Sequence, residues 1–425
     1  METMREEKTN TIFIQIAAYR DPELLPTLKD CLAKAKHPEN LRFGIAWQRC
    51  KEDGWDDIEE FMDHPQFKIL DIDYRESQGV CWARNLVQGL YNNEKYTLQL
   101  DSHHRFTQDW DAKLIRMLEG LQKEGHPKPL ITAYIPSYNP ENDPQDRVQE
   151  PWKMTFDRFI PEGAIFFLPA AFDPSKDDLD KPLLGRFYSA HFAFTLGAFA
   201  KEVKHDPNYY FHGEEISIAA RAFTHGYDIF HPHKVIVWHE YTRKGRTKQW
   251  DDDKGWGKRN EICHKRNRKL FGMDGEVQDI DFGIYGFGDK RTLSDYEKFS
   301  GISFKQRAIT QDVLDNKLPK FENMKISDEE FNNSLLHIFK HCIDLGFDQM
   351  PHDDYDFWCV AFKDEKGQDM YRQDADPEEI KRMKSDPDGY YKIWRSFQTK
   401  KRPTSWIVWP HSISKEWQDP ITGYI

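Results

Sequence analysis

Short apolar runs alternate with stretches of helical period along the first half of the chain. Thr11-Ile12-Phe13-Ile14-Gln15-Ile16-Ala17-Ala18 is a nearly continuous apolar run, as a strand buried on both faces shows. Asp21-Pro22 then open a helix, with Asp as N-cap and Pro at the first helical position. Leu24, Leu25, Leu28, Leu32 and Ala35 form its inner stripe. Residues 43–47, 67–72 and 96–100 read as further strands, and residues 80–91 and 109–123 as amphipathic helices. The alternation predicts an α/β fold built on a mostly parallel sheet flanked by helices.

Residues 136–181 are rich in Pro, Asp and Asn around the apolar island 164–168, which reads as long loops over a hairpin. Residues 191–198 are strand-like, and residues 214–225 form a helix closed by Gly226. Strands at 229–230 and 235–238 end at His239, and a basic stretch, 241–248, follows. The pattern changes after residue 275. Residues 1–275 are expected to form the main domain, 276–315 a connector, and 316–425 a smaller β-rich accessory domain of mixed helix and strand. In the last segment Ser327-Asp328-Glu329-Glu330 is a capping box, and 356–362 and 405–409 read as strands.

Length and charge narrow the possibilities. The 425 residues leave room for two domains. Lys and Arg number 60 against 72 Asp and Glu, and the net charge of −12 disfavours a nucleic-acid partner. No apolar run approaches the ~20 residues of a membrane span, and the first residues lack a secretory leader pattern. Six scattered cysteines without a CxxC pair suit reduced thiols, so a cytoplasmic protein is expected. Trp394, Trp406, Trp409 and Trp417 are candidates for stacking on sugars, although aromatic side chains more often fill a core. Nothing in the pattern sets an oligomeric state.

The sharpest chemical feature is a strand that runs into Asp101-Ser102-His103. Ligands of open α/β sheets sit at the carboxyl ends of strands. A carboxylate and a neutral imidazole there suit a borderline divalent ion such as Mn²⁺. His239, at the end of another apolar strand, is placed to close the same site. Each feature alone also fits an ordinary structural role. Phe211-His212-Gly213-Glu214-Glu215 offers a glycine for close backbone approach and two acids at a helix start, where they also suit the helix dipole. Arg243, Lys244, Arg246 and Lys248 are either a solvated loop or a cover for phosphates.

Taken in order, AYRDPEL, GVCWARN, LQLDSHHRF, FHGEEISIAARAFTHGYDIF and VIVWHEY resemble the GT-A-fold glycosyltransferases. Within these, the chain is most similar to the cytoplasmic polypeptide N-acetylglucosaminyltransferases acting on hydroxyproline, and more distantly to the polypeptide N-acetylgalactosaminyltransferases, over about residues 10–270. The resemblance implies a UDP-N-acetylhexosamine donor, a protein or glycan acceptor, Mn²⁺ (or Mg²⁺), and retention of anomeric configuration. It implies Asp101, His103 and His239 as metal ligands. Ala18, Tyr19, Arg20 and Asp21 match the uridine cradle, and Arg84 matches an arginine near the diphosphate. Glu214 matches the glutamate of the element beside the donor sugar, Glu215 stands where the more distant relatives have asparagine, and both are catalytic candidates; the segment after His239, with Arg243, matches a mobile donor lid.

Two other readings stand beside this one. The same fold can invert configuration with Glu214 or Glu215 as general base. Alternatively, the chain is a non-catalytic carbohydrate-binding protein.

Overall fold

The computed structural model describes residues 10–55, 57–277, 279–384 and 389–425. The expectation about a leader concerns residues 1–9 among others, and these lie outside the described residues. The chain forms two compact units, one reaching to Gln306 and including Asp312–Ile326, the other comprising Arg307–Gln311 and Ser327–Ile425.

In the first unit the elements run β1 (Ile12–Tyr19), α1 (Leu24–Lys34), β2 (Leu41–Arg49), β3 (Phe67–Asp73), α2 (Val80–Gln88), β4 (Tyr96–Leu100), β5 (His104–Phe106) and α3 (Trp110–Lys123). They continue with β6 (Pro129–Thr132), a hairpin of β7 (Trp152–Phe159) and β8 (Ile165–Ala171), β9 (Leu183–Leu184), β10 (Phe192–Leu196), α4 (Phe199–Glu202) and α5 (Glu214–Thr224). Next come β11 (Asp228–His231), β12 (Val237–His239), α6 (Gln249–Asp252) and α7 (Trp256–Phe271). Eight strands make one sheet in the order β3-β2-β1-β4-β10-β6-β11-β9. Its β1–β4 half is parallel, whereas β10 runs antiparallel to both neighbours. This is the mostly parallel α/β architecture expected.

The central strands β1, β2 and β4 are largely buried on both faces, as their mainly apolar runs require. On one face Ile12, Ile14 and Ile16 pack with Leu24 and Leu28 of α1 and Trp110, Leu114 and Leu118 of α3. On the other, Phe13 and Ala46 meet Ala83 and Val87 of α2. Each buried Ile, Leu, Val or Phe among them contributes about 1.5–3 kcal/mol by leaving water. The first helix starts later than its sequence suggests. Its N-cap is Glu23, and Asp21 instead takes the Glu23 N–H on Oδ1 at 2.9 Å, leaving Oδ2 for tertiary partners.

In the second unit, strand Leu335–Gly346 pairs antiparallel with Tyr390–Thr399, and Tyr355–Lys363 pairs with Ser405–Ser412. Trp358, Val360, Ile393 and Val408 form its core under helix Pro377–Lys384. Trp406 packs against this core, but Trp394, Trp409 and Trp417 are exposed. The helix expected from the capping box is present as Asp328–Ser334. No disulfide joins the six cysteines, and no helix among the described residues is long and apolar enough to cross a membrane.

Candidate metal and donor site

Three chain segments meet at the carboxyl end of β4. The strand ends at Leu100, and buried Thr27 pins the corner that follows, donating to the Ser102 carbonyl at 3.0 Å and accepting the His104 N–H at 2.8 Å. β5 and β12 form a short antiparallel ribbon in which His104 lies opposite His239. Together these contacts bring Asp101, His103 and His239 into one cluster, with their candidate ligand atoms within 4.8 Å of one another. His239 Nε2 is 3.5 Å and His103 Nε2 3.8 Å from Asp101 Oδ2. Both ring nitrogens of buried His239 lack a hydrogen-bond partner among the described residues. Buried polar atoms are normally paired, so an orphaned imidazole facing a carboxylate marks room for a cation.

Burial alone would raise the Asp101 carboxyl, but contact with His239, then Arg84 and His103, hold it well below the usual range. Burial, with the rings of His103 and His104 close by, keeps His239 well below its ordinary value despite Asp101. An anionic oxygen and a neutral imidazole are the forms that bind metal.

Arg84 lies behind Asp101. Its guanidinium reaches Asp101 Oδ1 at 2.7 Å and Glu214 Oε2 at 2.9 Å, and only 5% of its side chain is exposed. Cys81 donates to the same Glu214 oxygen at 2.6 Å. Glu215 turns away from that pair, accepting from Tyr134 Oη at 2.7 Å and from the Ala190 N–H at 2.9 Å. Burial pushes its carboxyl up to about 7.

A pocket of about 160 Å³ that opens to solvent adjoins the cluster. Asp101, His103 and His239 line it with Tyr19, Asp21 and Arg243. Ala18 does not, since β1 turns that side chain into the core and presents Ala17 to the pocket instead. Arg20 is engaged elsewhere, bidentate on Asp53 at 2.6 and 2.9 Å and on Asp252 at 2.9 Å.

The segment after His239 covers the pocket. Arg246 pairs with Glu240 at 2.5 Å and Asp21 at 3.1 Å, and Asp252 accepts from Tyr19 Oη at 2.7 Å. Arg243 lies over the rings of Phe211 and Trp250 at 5.6 and 5.5 Å. Gln48, Ser77 and Trp250 also line the pocket, though the sequence reading did not single them out. Nor did it give a role to His191, which stacks on His239 at 4.3 Å and accepts from or donates to Tyr241 Oη at 3.1 Å. Its position at the start of a strand was the available clue.

Gly79 begins α2 at the pocket wall with φ 108°. A Cβ there would come within 2.7 Å of the Tyr210 ring and 3.1 Å of its carbonyl. Gly79→Ala is therefore expected to cost about 1–3 kcal/mol from backbone strain and overlap, measured as a shift in the urea unfolding midpoint. An unchanged midpoint would show that the loop relaxes freely.

Comparisons with known proteins bear on this geometry. No curated protein matches the sequence. Among solved structures, GalNAc-T7 with UDP, GalNAc and Mn²⁺ is similar at 11% identity over 97% of this chain and 69% of that one, with a TM-score of 0.46. Staphylococcus aureus TarS 1–349 with UDP-GlcNAc is similar at 12% identity over 76% and 79%, with a TM-score of 0.40. The family model described as glycosyltransferase (GlcNAc) matches residues 11–64 and 55–306, which include every residue of the cluster and pocket. Since that match takes in well over half of the sequence, the chain belongs to the glycosyltransferase (GlcNAc) family.

Proposed function

We propose that this glycosyltransferase moves N-acetylhexosamine, GlcNAc first, from a UDP donor to a hydroxyl of a protein or glycan, with retention of configuration and with Mn²⁺ or Mg²⁺ bound. The observation that carries the proposal is the convergence of Asp101, His103 and orphaned His239 beside an open pocket. One carboxylate and two imidazoles suit such an ion and leave positions for diphosphate oxygens. When bound, the cation supplies charge neutralisation for the departing nucleoside diphosphate.

The protein's own groups position and stabilise. Arg84 holds Asp101 ionised and oriented, and Glu214 holds Arg84. Tyr19, Asp21 and the covering segment with Arg243 surround the donor, and closure over it excludes water. A base or covalent nucleophile needs a free carboxylate near the sugar. Glu214 is occupied by Arg84 and Cys81, and Glu215 by Tyr134 and the Ala190 N–H. This favours a front-face route over inversion. The bond from the anomeric carbon to the diphosphate oxygen breaks, the acceptor oxygen bonds to that carbon on the same face, and the acceptor proton passes to the leaving oxygen. The resemblance to the hydroxyproline-acting branch makes peptidyl hydroxyproline the first acceptor to assay, in a cytoplasmic setting.

A thermal-shift panel of UDP-sugars with and without Mn²⁺ tests the donor. Ligand at a hundredfold excess over its Kd adds about 2.7 kcal/mol, so UDP-GlcNAc with Mn²⁺ is expected to raise Tm by several degrees beyond Mn²⁺ alone. No shift with any UDP-sugar would remove the donor assignment. An inverted product anomer by NMR would replace retention with the base-assisted route.

A further inference from the structure

We infer that Asp21 is a positioning residue for the cation site, fixing the His103 ring so that Nε2 faces the metal; this rests on the cation reading given above. Asp21 Oδ2 lies 2.7 Å from His103 Nδ1. The carboxyl is 3% exposed, and Ser102 Oγ donates to the same oxygen at 2.7 Å. A carboxylate oxygen and an unprotonated ring nitrogen repel at that separation. That contact by itself places the proton on Nδ1, which leaves the Nε2 lone pair directed toward Asp101 Oδ2, 3.8 Å away. A metal-bound histidine is normally held in this way through its other nitrogen, and removing the holder typically weakens metal binding 10–100-fold.

The rest of the surroundings fits the same assignment. Asp21 Oδ1 is anchored by the Glu23 N–H at 2.9 Å at the turn into α1, so the carboxylate cannot rotate away. Arg246 also reaches Asp21 Oδ2, at 3.1 Å, and touches His103 Nδ1. These two contacts define the competing state, in which Arg246 donates to Nδ1 and the ring proton sits on Nε2, facing the metal position. Asp21, the anion that meets Nδ1 at 2.7 Å, selects against that state by its charge. The residue that the resemblance places in the uridine cradle thus has its Oδ2 directed to the cation side of the pocket.

The test is Mn²⁺ titration of the full chain, with free Mn²⁺ read by electron paramagnetic resonance. Asp21→Asn retains the volume and an acceptor oxygen but loses the charge. It is expected to raise the Mn²⁺ Kd 10–100-fold while the metal-free Tm stays within a few degrees of wild type. Equal Kd values for the two proteins would overturn the inference and leave the cation site standing. Absence of Mn²⁺ binding by the wild type would overturn both. Long-range nitrogen–proton NMR of histidine-labelled wild type reads the tautomer directly and needs no variant to fold. Nδ1 of His103 should carry the proton in metal-free protein, and an unprotonated Nδ1 would reject the assignment.

Discussion

Replacing Asp101 and His103 together by alanine is expected to slow UDP release from UDP-GlcNAc in the presence of Mn²⁺ by roughly a thousandfold. The two side chains supply two of the three proposed ligands, and a bound cation contributes several kcal/mol of charge stabilisation, at about 1.4 kcal/mol per decade of rate. A fall of this size separates a cation-dependent reaction from one in which the cluster only packs. The readout is steady-state UDP formation at saturating donor, with folding checked by the unfolding transition. Activity within tenfold of wild type would eliminate the cation reading.

The second large effect concerns stability. Arg84→Met is expected to destabilise the metal-free protein by about 3–5 kcal/mol, because it strips the cation from Glu214 and Asp101 in a largely desolvated site. Equilibrium urea unfolding measures the loss. Adding Glu214→Gln should restore part of it, since the unpaired buried anion is then gone, and the non-additivity measures the coupling. A single-variant cost below about 1 kcal/mol would mean that water reaches the pair and solvates both carboxylates.

Much of this framework is legible in the sequence, because burial on both faces leaves long apolar runs. Tyr96–Leu100 is a strand over the expected residues, and the Asp-x-His at its end falls where α/β sheets bind ligands. What escapes is information carried by partners distant in the chain. Asp21-Pro22 reads correctly as a turn into a helix, but only the fold discloses that one Asp21 oxygen belongs to His103. The three-residue β5 is too short to show a period. In α7, only Cys263, His264, Asn267, Leu270 and Phe271 are buried, and the remaining charged face obscures the stripe. Residues 191–198 read as a strand from composition, yet strand direction leaves no trace in apolar content, so the antiparallel course of β10 and the contact of His191 with His239 stay hidden.

That reversed strand has a consequence for how the protein tolerates change. Because β10 opens at the rim where β4 closes, with Phe192 in register with Leu100, His191 is set by ladder pairing and not by the length of the chain before it. The excursion from β6 through the β7–β8 hairpin can then gain or lose residues without moving the imidazole that backs His239, whereas a one-residue slip of β10 would turn every side chain on it to the opposite face. Variation in length is thereby steered into the hairpin and its flanking loops, where new surface contacts can be tried while the floor of the pocket keeps its dimensions.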